Sequence, residues 1–279
     1  MPAYLRPPSL DEALRYLQHH DRVVLAGGTD FYATQVAHPV DQDVLDVTAI
    51  AGLRGIDVLS NHIRIGAATT WCELIEASLP THCELLRQAA REVGGVQIQN
   101  AGTIAGNICN ASPAADGVPV LLALEAMVEL ASSNGLRTMP IAEFIIGPRR
   151  TRRVADELVT AVLIPHRSQR ARSRFLKLGA RRYLVISIVM VAVCLDMDAD
   201  GIITYCAVAV GACSAVAQRL PALEARLIGM PLGATVANAV MPADLAALRP
   251  IDDIRGTARY RQEAVLELIK RALDGCCNE

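Results

Sequence analysis

Lysine is almost missing from this 279-residue sequence: Lys177 and Lys270 are the only two, and arginine supplies the other 25 basic residues. Codon bias of a source genome accounts for such a composition without a functional cause. The net charge is −2. A balance this close to neutral gives no support to a nucleic-acid protein, whose binding domain is strongly basic. Long apolar runs are missing too. The longest, residues 183–195, has 13 residues between Arg182 and Asp196, well short of the ~20 that span a bilayer, so a buried strand is expected there. The first residues, MPAYLRPPSLDEAL, lack the apolar core of a secretory signal, and a cytoplasmic protein is expected. None of the eight cysteines forms a C-x-x-C pair. That removes the usual zinc and iron–sulfur patterns and leaves small buried residues or inert thiols. G-x-G-x-x-G, G-K-[ST] and H-E-x-x-H are all absent.

What is present suits a folded chain. Hydrophobic residues make up 52%, enough for a core, and the length suggests two or so folding units at about 100–200 residues each. Charge is unevenly spread. From Arg149 to Arg182 eleven basic residues face only Asp156 and Glu157, a local net of +9, which leaves −11 on the rest of the chain. The stretch is either a solvated face or a surface for an anionic ligand or acidic partner.

Ser9 with Glu12 predicts a capping box opening a helix to Leu17. Residues 23–25 and 44–47 read as short buried strands, with a helix-like segment over 31–37. Alternation over 56–59 and 62–66 predicts a hairpin, as does Asn134-Gly135 between 125–131 and 136–140. Apolar spacing predicts helices over 71–77, 83–93 and 116–124. The Gly/Asn-rich stretch 94–110 reads as loop, 157–165 as a strand, and the polar 166–173 as a domain boundary. Strands over 185–196 and 202–211 follow, then mostly helix from 221 to 273. Hairpins mixed with helices indicate an α+β fold rather than a βαβ series.

Two glycine-bearing segments carry the chemistry. Leu25-Ala26-Gly27-Gly28-Thr29-Asp30 follows a strand, and Thr103-Ile104-Ala105-Gly106-Asn107 lies in the Gly/Asn-rich stretch. Small residues let a ligand approach the main chain, and consecutive N–H groups form an anion-binding nest. Two such segments facing each other would hold a pyrophosphate without a cationic side chain. Each alone is equally a plain turn. No nucleophile–base pair and no metal-ligand set is visible, so no residue is assigned a catalytic role.

Together with their neighbours these segments resemble a known family. LAGGTDFYATQ from Leu25, IRIGAATT from Ile63, QIQNAGTIAGNICNASPAAD from Gln97, GPRRTRRVADELVTAVLIP from Gly147 and FLKLGARR from Phe175 occur in order. Over nearly the whole chain this resembles the FAD-binding (medium) subunit of the xanthine dehydrogenase and carbon monoxide dehydrogenase family of molybdenum hydroxylases. The resemblance extends to a final helix over 257–273 carrying Tyr260 and Arg261.

The resemblance implies an α+β chain with a two-subdomain FAD-binding fold of the vanillyl-alcohol-oxidase/PCMH type (1–55 and 56–168), then a C-terminal α+β domain (169–279). It implies non-covalent FAD, with Val23, Val24, Leu25, Ala26, Gly27, Gly28, Thr29 and Asp30 wrapping the pyrophosphate. Thr103, Ile104, Ala105, Gly106 and Asn107 close from the other side. Asp116 accepts from ribose hydroxyls, Gly94 and Val159 line the nucleotide, and Lys177 reaches the cofactor from the C-terminal domain. A carboxylate suits the ribose because it offers only acceptors. The implied partners are a 2Fe-2S small subunit and a large subunit holding the molybdenum cofactor, with those groups on the partners alone. Electrons reach the flavin from the 2Fe-2S clusters and leave to NAD or another acceptor. Three departures from the family pattern stand out. Ala105 replaces the first glycine of T-x-G-G-N, so an ordinary backbone is expected there. Gln99 stands where Arg is common. Tyr183-Leu184-Val185 replaces an acidic position in a loop tied to acceptor choice. A stand-alone flavin oxidase of the same fold, a flavin-less assembly subunit and an unrelated α+β binding protein are the competing readings.

Overall fold

The computed structural model describes residues 2–18, 22–35, 40–233 and 235–278. Its strands are β1 (Tyr4–Leu5), β2 (Val23–Leu25), β3 (Val44–Asp46), β4 (Ile56–Val58), β5 (His62–Gly66), β6 (Met127–Ser132) and β7 (Gly135–Pro140). The remainder are β8 (Ile145–Gly147), β9 (Arg150–Thr151), β10 (Leu158–Pro165), β11 (Arg172–Leu178), β12 (Val189–Met197), β13 (Ile203–Gly211) and β14 (Gln218–Arg219). The helices are α1 (Leu10–Leu17), α2 (Phe31–Thr34), α3 (Trp71–Glu76), α4 (Glu84–Glu92), α5 (Val96–Ala101), α6 (Ile104–Asn110) and α7 (Gly117–Ala123). They continue with α8 (Ile141–Phe144), α9 (Pro221–Leu227), α10 (Thr235–Asn238) and α11 (Ala258–Cys277).

Three sheets organise the chain. A small parallel sheet has the order β1-β3-β2, a five-stranded antiparallel sheet β4-β5-β10-β6-β7, and a four-stranded antiparallel sheet β11-β12-β13-β14. The third sheet is apolar on both faces. Met190, Ala192, Cys194, Ala207 and Ala209 join the core shared with α4 and α7. Val191, Val193, Leu195, Val208 and Val210 face a second core built with α9 and α11. Burial on both sides explains why residues 189–195 form an unbroken apolar run.

Both predicted hairpins form. Asn134-Gly135 turns β6 into β7 with Gly135 at φ +120°, and β4 pairs with β5. Elsewhere the structure departs from the sequence reading. Ser9 accepts from the Glu12 N–H, but Glu12 takes the Tyr16 hydroxyl instead of closing the box. The helix expected over 31–37 is seen over Phe31–Thr34, and 36–37 lie outside the described residues. The stretch 94–110 is two helices, α5 and α6, because Ile104 and Ile108 bury their side chains and Thr103 caps. Strand β11 was not read at all. Its RSRFLKL sequence is basic, yet its charges are engaged: Arg172 donates to the Cys276 and Cys277 carbonyls at the end of α11, and Lys177 is buried.

Candidate functional site

The segment after β2 is held by what lies under it. A Cβ on Gly27 would stand 1.8 Å from the Ala101 carbonyl oxygen, so only glycine fits. Gly28 turns the chain at φ +68°, a conformation that costs other residues about 1–2 kcal/mol. Its carbonyl then accepts from Tyr32 N–H at 3.0 Å to start α2. Through this turn the N–H groups of Gly27, Gly28, Thr29 and Asp30 find no acceptor among the described residues. Gly27, Gly28 and Thr29 are only half-buried and Asp30 is exposed, so a ligand can reach them. Four consecutive unengaged donors make an anion-binding concavity.

The second segment abuts the first, since a Cβ on Gly102 would lie 3.5 Å from Thr29 Oγ1. From Ile104 to Asn107 its N–H groups are spent. Ile104 N–H donates to Thr69 O at 3.0 Å, Ala105 to Ala67 O at 3.2 Å, and Asn107 to Thr103 O at 3.1 Å. Gly106 N–H goes to Thr103 Oγ1 at 3.0 Å, the N-cap of α6. The two-sided cradle of N–H groups anticipated from sequence is therefore one-sided. Ala105 has the ordinary helical backbone expected of it and is absent from the positive-φ residues. Asn107 ties α6 to α7: its Oδ1 accepts from Gly117 N–H at 3.2 Å.

Asp116 and Lys177, 61 residues apart, meet. Lys177 Nζ donates to Asp116 Oδ2 at 2.9 Å and to the Glu92 carbonyl at 2.9 Å, and Ser187 Oγ donates to Asp116 Oδ1 at 2.7 Å. Burial pushes the Asp116 carboxyl above its usual range, against the pull of Lys177 and Ser187. Gly94 has φ +54° ahead of α5. Val159 sits in β10, buried beside a register shift between Val159 and Ala161, where β10 packs on α6. Gln99, in the place of an expected Arg, donates from Nε2 to the carbonyls of Arg91 and Val93 at the end of α4. Tyr183 and Leu184 are exposed, with Leu184 at φ +53° and its side chain against Gly95.

Sequence reasoning missed three contributors. Trp71, the single tryptophan, is buried beneath the second segment and touches the space beside Gly102 and Gly117. Ser187 bonds Asp116. Arg149 donates from Nη1 to Asp30 at 2.9 Å and to Asn110, clipping the first segment to the end of α6. Its signals were membership of the GPRRTRR segment and of the basic stretch, which the fold disperses. Arg170, Arg172 and Arg174 line a groove of about 860 Å³ between α4 and β11 that contains none of the residues above. Among the described residues no cluster of His, Cys, Asp and Glu is arranged to hold a metal, and no helix is long and apolar enough to cross a membrane.

An anion nest, joined through Gly102 and Trp71 to the Gly117 that follows a buried, half-satisfied carboxylate, suits a ligand with phosphates and a ribose diol. Comparisons with known proteins agree. Residues 1–167 match the FAD binding domain in molybdopterin dehydrogenase, and 174–275 match the CO dehydrogenase flavoprotein C-terminal domain. The chain is 31% identical to the nicotinate dehydrogenase FAD-subunit of Eubacterium barkeri, covering 99% of this chain and 98% of that one. It is 32% identical to the nicotine 6-hydroxylase medium subunit of Paenarthrobacter nicotinovorans, covering 97% and 95%. A solved CO dehydrogenase from Oligotropha carboxidovorans superposes with a TM-score of 0.91 at 26% identity, covering 100% of this chain and 98% of that one. The chain belongs to the FAD-binding subunits of the xanthine and CO dehydrogenase family of oxidoreductases.

Proposed function

We propose that this chain is the electron exit of a multi-subunit molybdenum hydroxylase. It takes electrons from a 2Fe-2S small subunit and delivers them to NAD or another acceptor, while a large subunit holds the molybdenum cofactor. The work takes place in the cytoplasm. The observation that carries the reading is the run of unengaged N–H groups from Gly27 to Asp30, set against Gly102 and within reach of solvent.

In this reading residues 1–55 and 56–168 form two FAD-binding subdomains of the vanillyl-alcohol-oxidase/PCMH type, and 169–279 the C-terminal domain. Residues 23–30 cradle the pyrophosphate, with Gly27, Gly28, Thr29 and Asp30 donating. Thr103–Asn107 closes the opposite wall by shape, because the N–H groups of Ile104 to Asn107 are used internally. Gly94 and Val159 line the nucleotide. Asp116 accepts from the ribose, and Lys177 offers the one ammonium donor not taken by Asp116 and Glu92. FAD, once bound, supplies the change between one- and two-electron chemistry. This chain's share is to hold it and control what reaches it.

The test is the absorption spectrum of the purified chain with identification of what heat releases. A flavin spectrum with free FAD, lost in Gly28→Trp, together with co-purification of two further subunits, is expected. A colourless chain that takes up no added FAD overturns the reading. An isolated chain that turns over a substrate makes it a stand-alone oxidase.

A further inference from the structure

Asp116 occupies the N-cap of α7, yet its carboxylate makes no bond to that helix. An N-cap aspartate ordinarily accepts from the N–H groups one turn in. Here α7 offers none: the Val118 N–H donates to the Ala115 carbonyl at 3.2 Å, Pro119 has no N–H, and the Gly117 N–H goes to Asn107 Oδ1 of α6. The Asp116 carboxylate points the other way, to Lys177 of β11 and Ser187 at the foot of β12. Both are nearly enclosed: the side chain of Lys177 is 4% exposed and that of Asp116 11%.

The foot of β12 is rigid. Ile188 N–H donates to Leu178 O at 2.8 Å, and the buried Arg261 donates to the Ile188 carbonyl at 2.5 Å and the Ala212 carbonyl at 3.0 Å. Asp253 holds that guanidinium at 2.7 Å. Ser187 is thus a donor fixed by its neighbours, lying just beyond the exposed Tyr183–Leu184 turn.

We propose that Ser187 is a positioning residue for cofactor recognition. With Lys177 it fixes the Asp116 carboxylate, which its own helix leaves without a donor, and holds it with lone pairs left over for the vicinal hydroxyls of a ribose. A carboxylate has about four acceptor sites, and the protein uses two. The C-terminal domain therefore sets a contact made by a residue of the N-terminal domain, and ribose recognition depends on the two being docked. This rests on the FAD reading given above.

The hydroxyls of ribose donate to the ionised carboxylate, so FAD affinity rises as pH rises through the Asp116 pKa. The charged groups around that carboxylate are Lys177 from β11 and Glu92 from α4. Removing the Ser187 donor destabilises the ionised form and moves the midpoint up.

The full chain, stripped of flavin, is titrated with FAD by fluorescence quenching from about pH 5 to about pH 8. Ser187→Ala is expected to bind about tenfold more weakly near neutral pH and to shift the midpoint up by about one pH unit. Ser187→Thr, which keeps the hydroxyl, restores the midpoint. Asp116→Asn binds weakly with a flat profile. A Ser187→Ala variant with lowered melting temperature and an unmoved midpoint is merely destabilised and overturns the proposal. So does Asp116→Asn with wild-type affinity, although the FAD reading then survives. A wild-type chain that takes up no FAD overturns both.

Discussion

From Gly27 to Asp30 the backbone presents four N–H groups with no acceptor for them among the described residues. From Ile104 to Asn107 four N–H groups are all consumed, by Thr69, Ala67 and Thr103. In sequence the two segments look alike, each a run of small residues around glycine. The difference lies in what each glycine is for. In the first segment Gly27 rests on the Ala101 peptide and Gly28 takes a left-handed conformation, so both glycines are compulsory and the loop stays open. In the second the chain is already helical at Ala105, and Gly106 leaves room for the capping Thr103 Oγ1, which would stand 2.9 Å from a Cβ. Small residues mark close approach. Only the hydrogen-bond inventory says whether a donor is left for a ligand.

The comparison breaks most severely at Gly27. Gly27→Ala drives a methyl into a backbone carbonyl that has no flexible end to move. A loss of about 3 kcal/mol or more in denaturant unfolding is expected, or failure to accumulate folded protein. Wild-type stability in that variant would mean the segment is not seated on residues 101–102. Gly28→Ala is milder. The added methyl crowds the ring of Tyr32, which is exposed and can swing out, and makes ordinary contact with Leu25 Cδ1 at 3.4 Å, so the cost is the backbone's, about 1–2 kcal/mol. FAD affinity should fall by tenfold or so even where the variant is fully folded, because relieving the strain re-aims the donors. An unchanged affinity, measured by flavin fluorescence, would move the nest elsewhere.

What was legible in the sequence follows the same division. The Asn134-Gly135 hairpin and the alternating strand at 62–66 are local and formed as expected. Segment 104–110 was not legible as a helix, since Gly106 and the two asparagines weigh against one. Its helix comes from burial of Ile104 and Ile108 and from the Thr103 cap. The candidate positions 27–30, 116 and 177 could be named from a family pattern, but their geometry could not. Asp30 meets Arg149 across 119 residues, and Asp116 meets Ser187 across 71. No short-range rule reports such pairings. Ser187 carries no motif, and nothing in the GPRRTRR segment singles Arg149 out from the other nine arginines of the basic stretch, which the fold sends to different places.

Ala105→Gly sharpens the comparison with the smallest expected effect. By family pattern it restores a glycine, and if the second segment worked like the first it would loosen the backbone and tighten FAD binding. By structure it removes a buried methyl from a helix whose N–H at that position already donates to Ala67. Gly is worse than Ala in a helix by at most about 0.8–1.0 kcal/mol, the figure for a helix interior, while Ala105 sits in the first turn of α6, and the lost methyl adds up to about 0.8 kcal/mol. The variant should therefore unfold about 1–2 kcal/mol more easily, with FAD affinity within about twofold of the parent. Tightened FAD binding would show that the second segment opens its N–H groups to the ligand after all, and the contrast between the two segments would disappear.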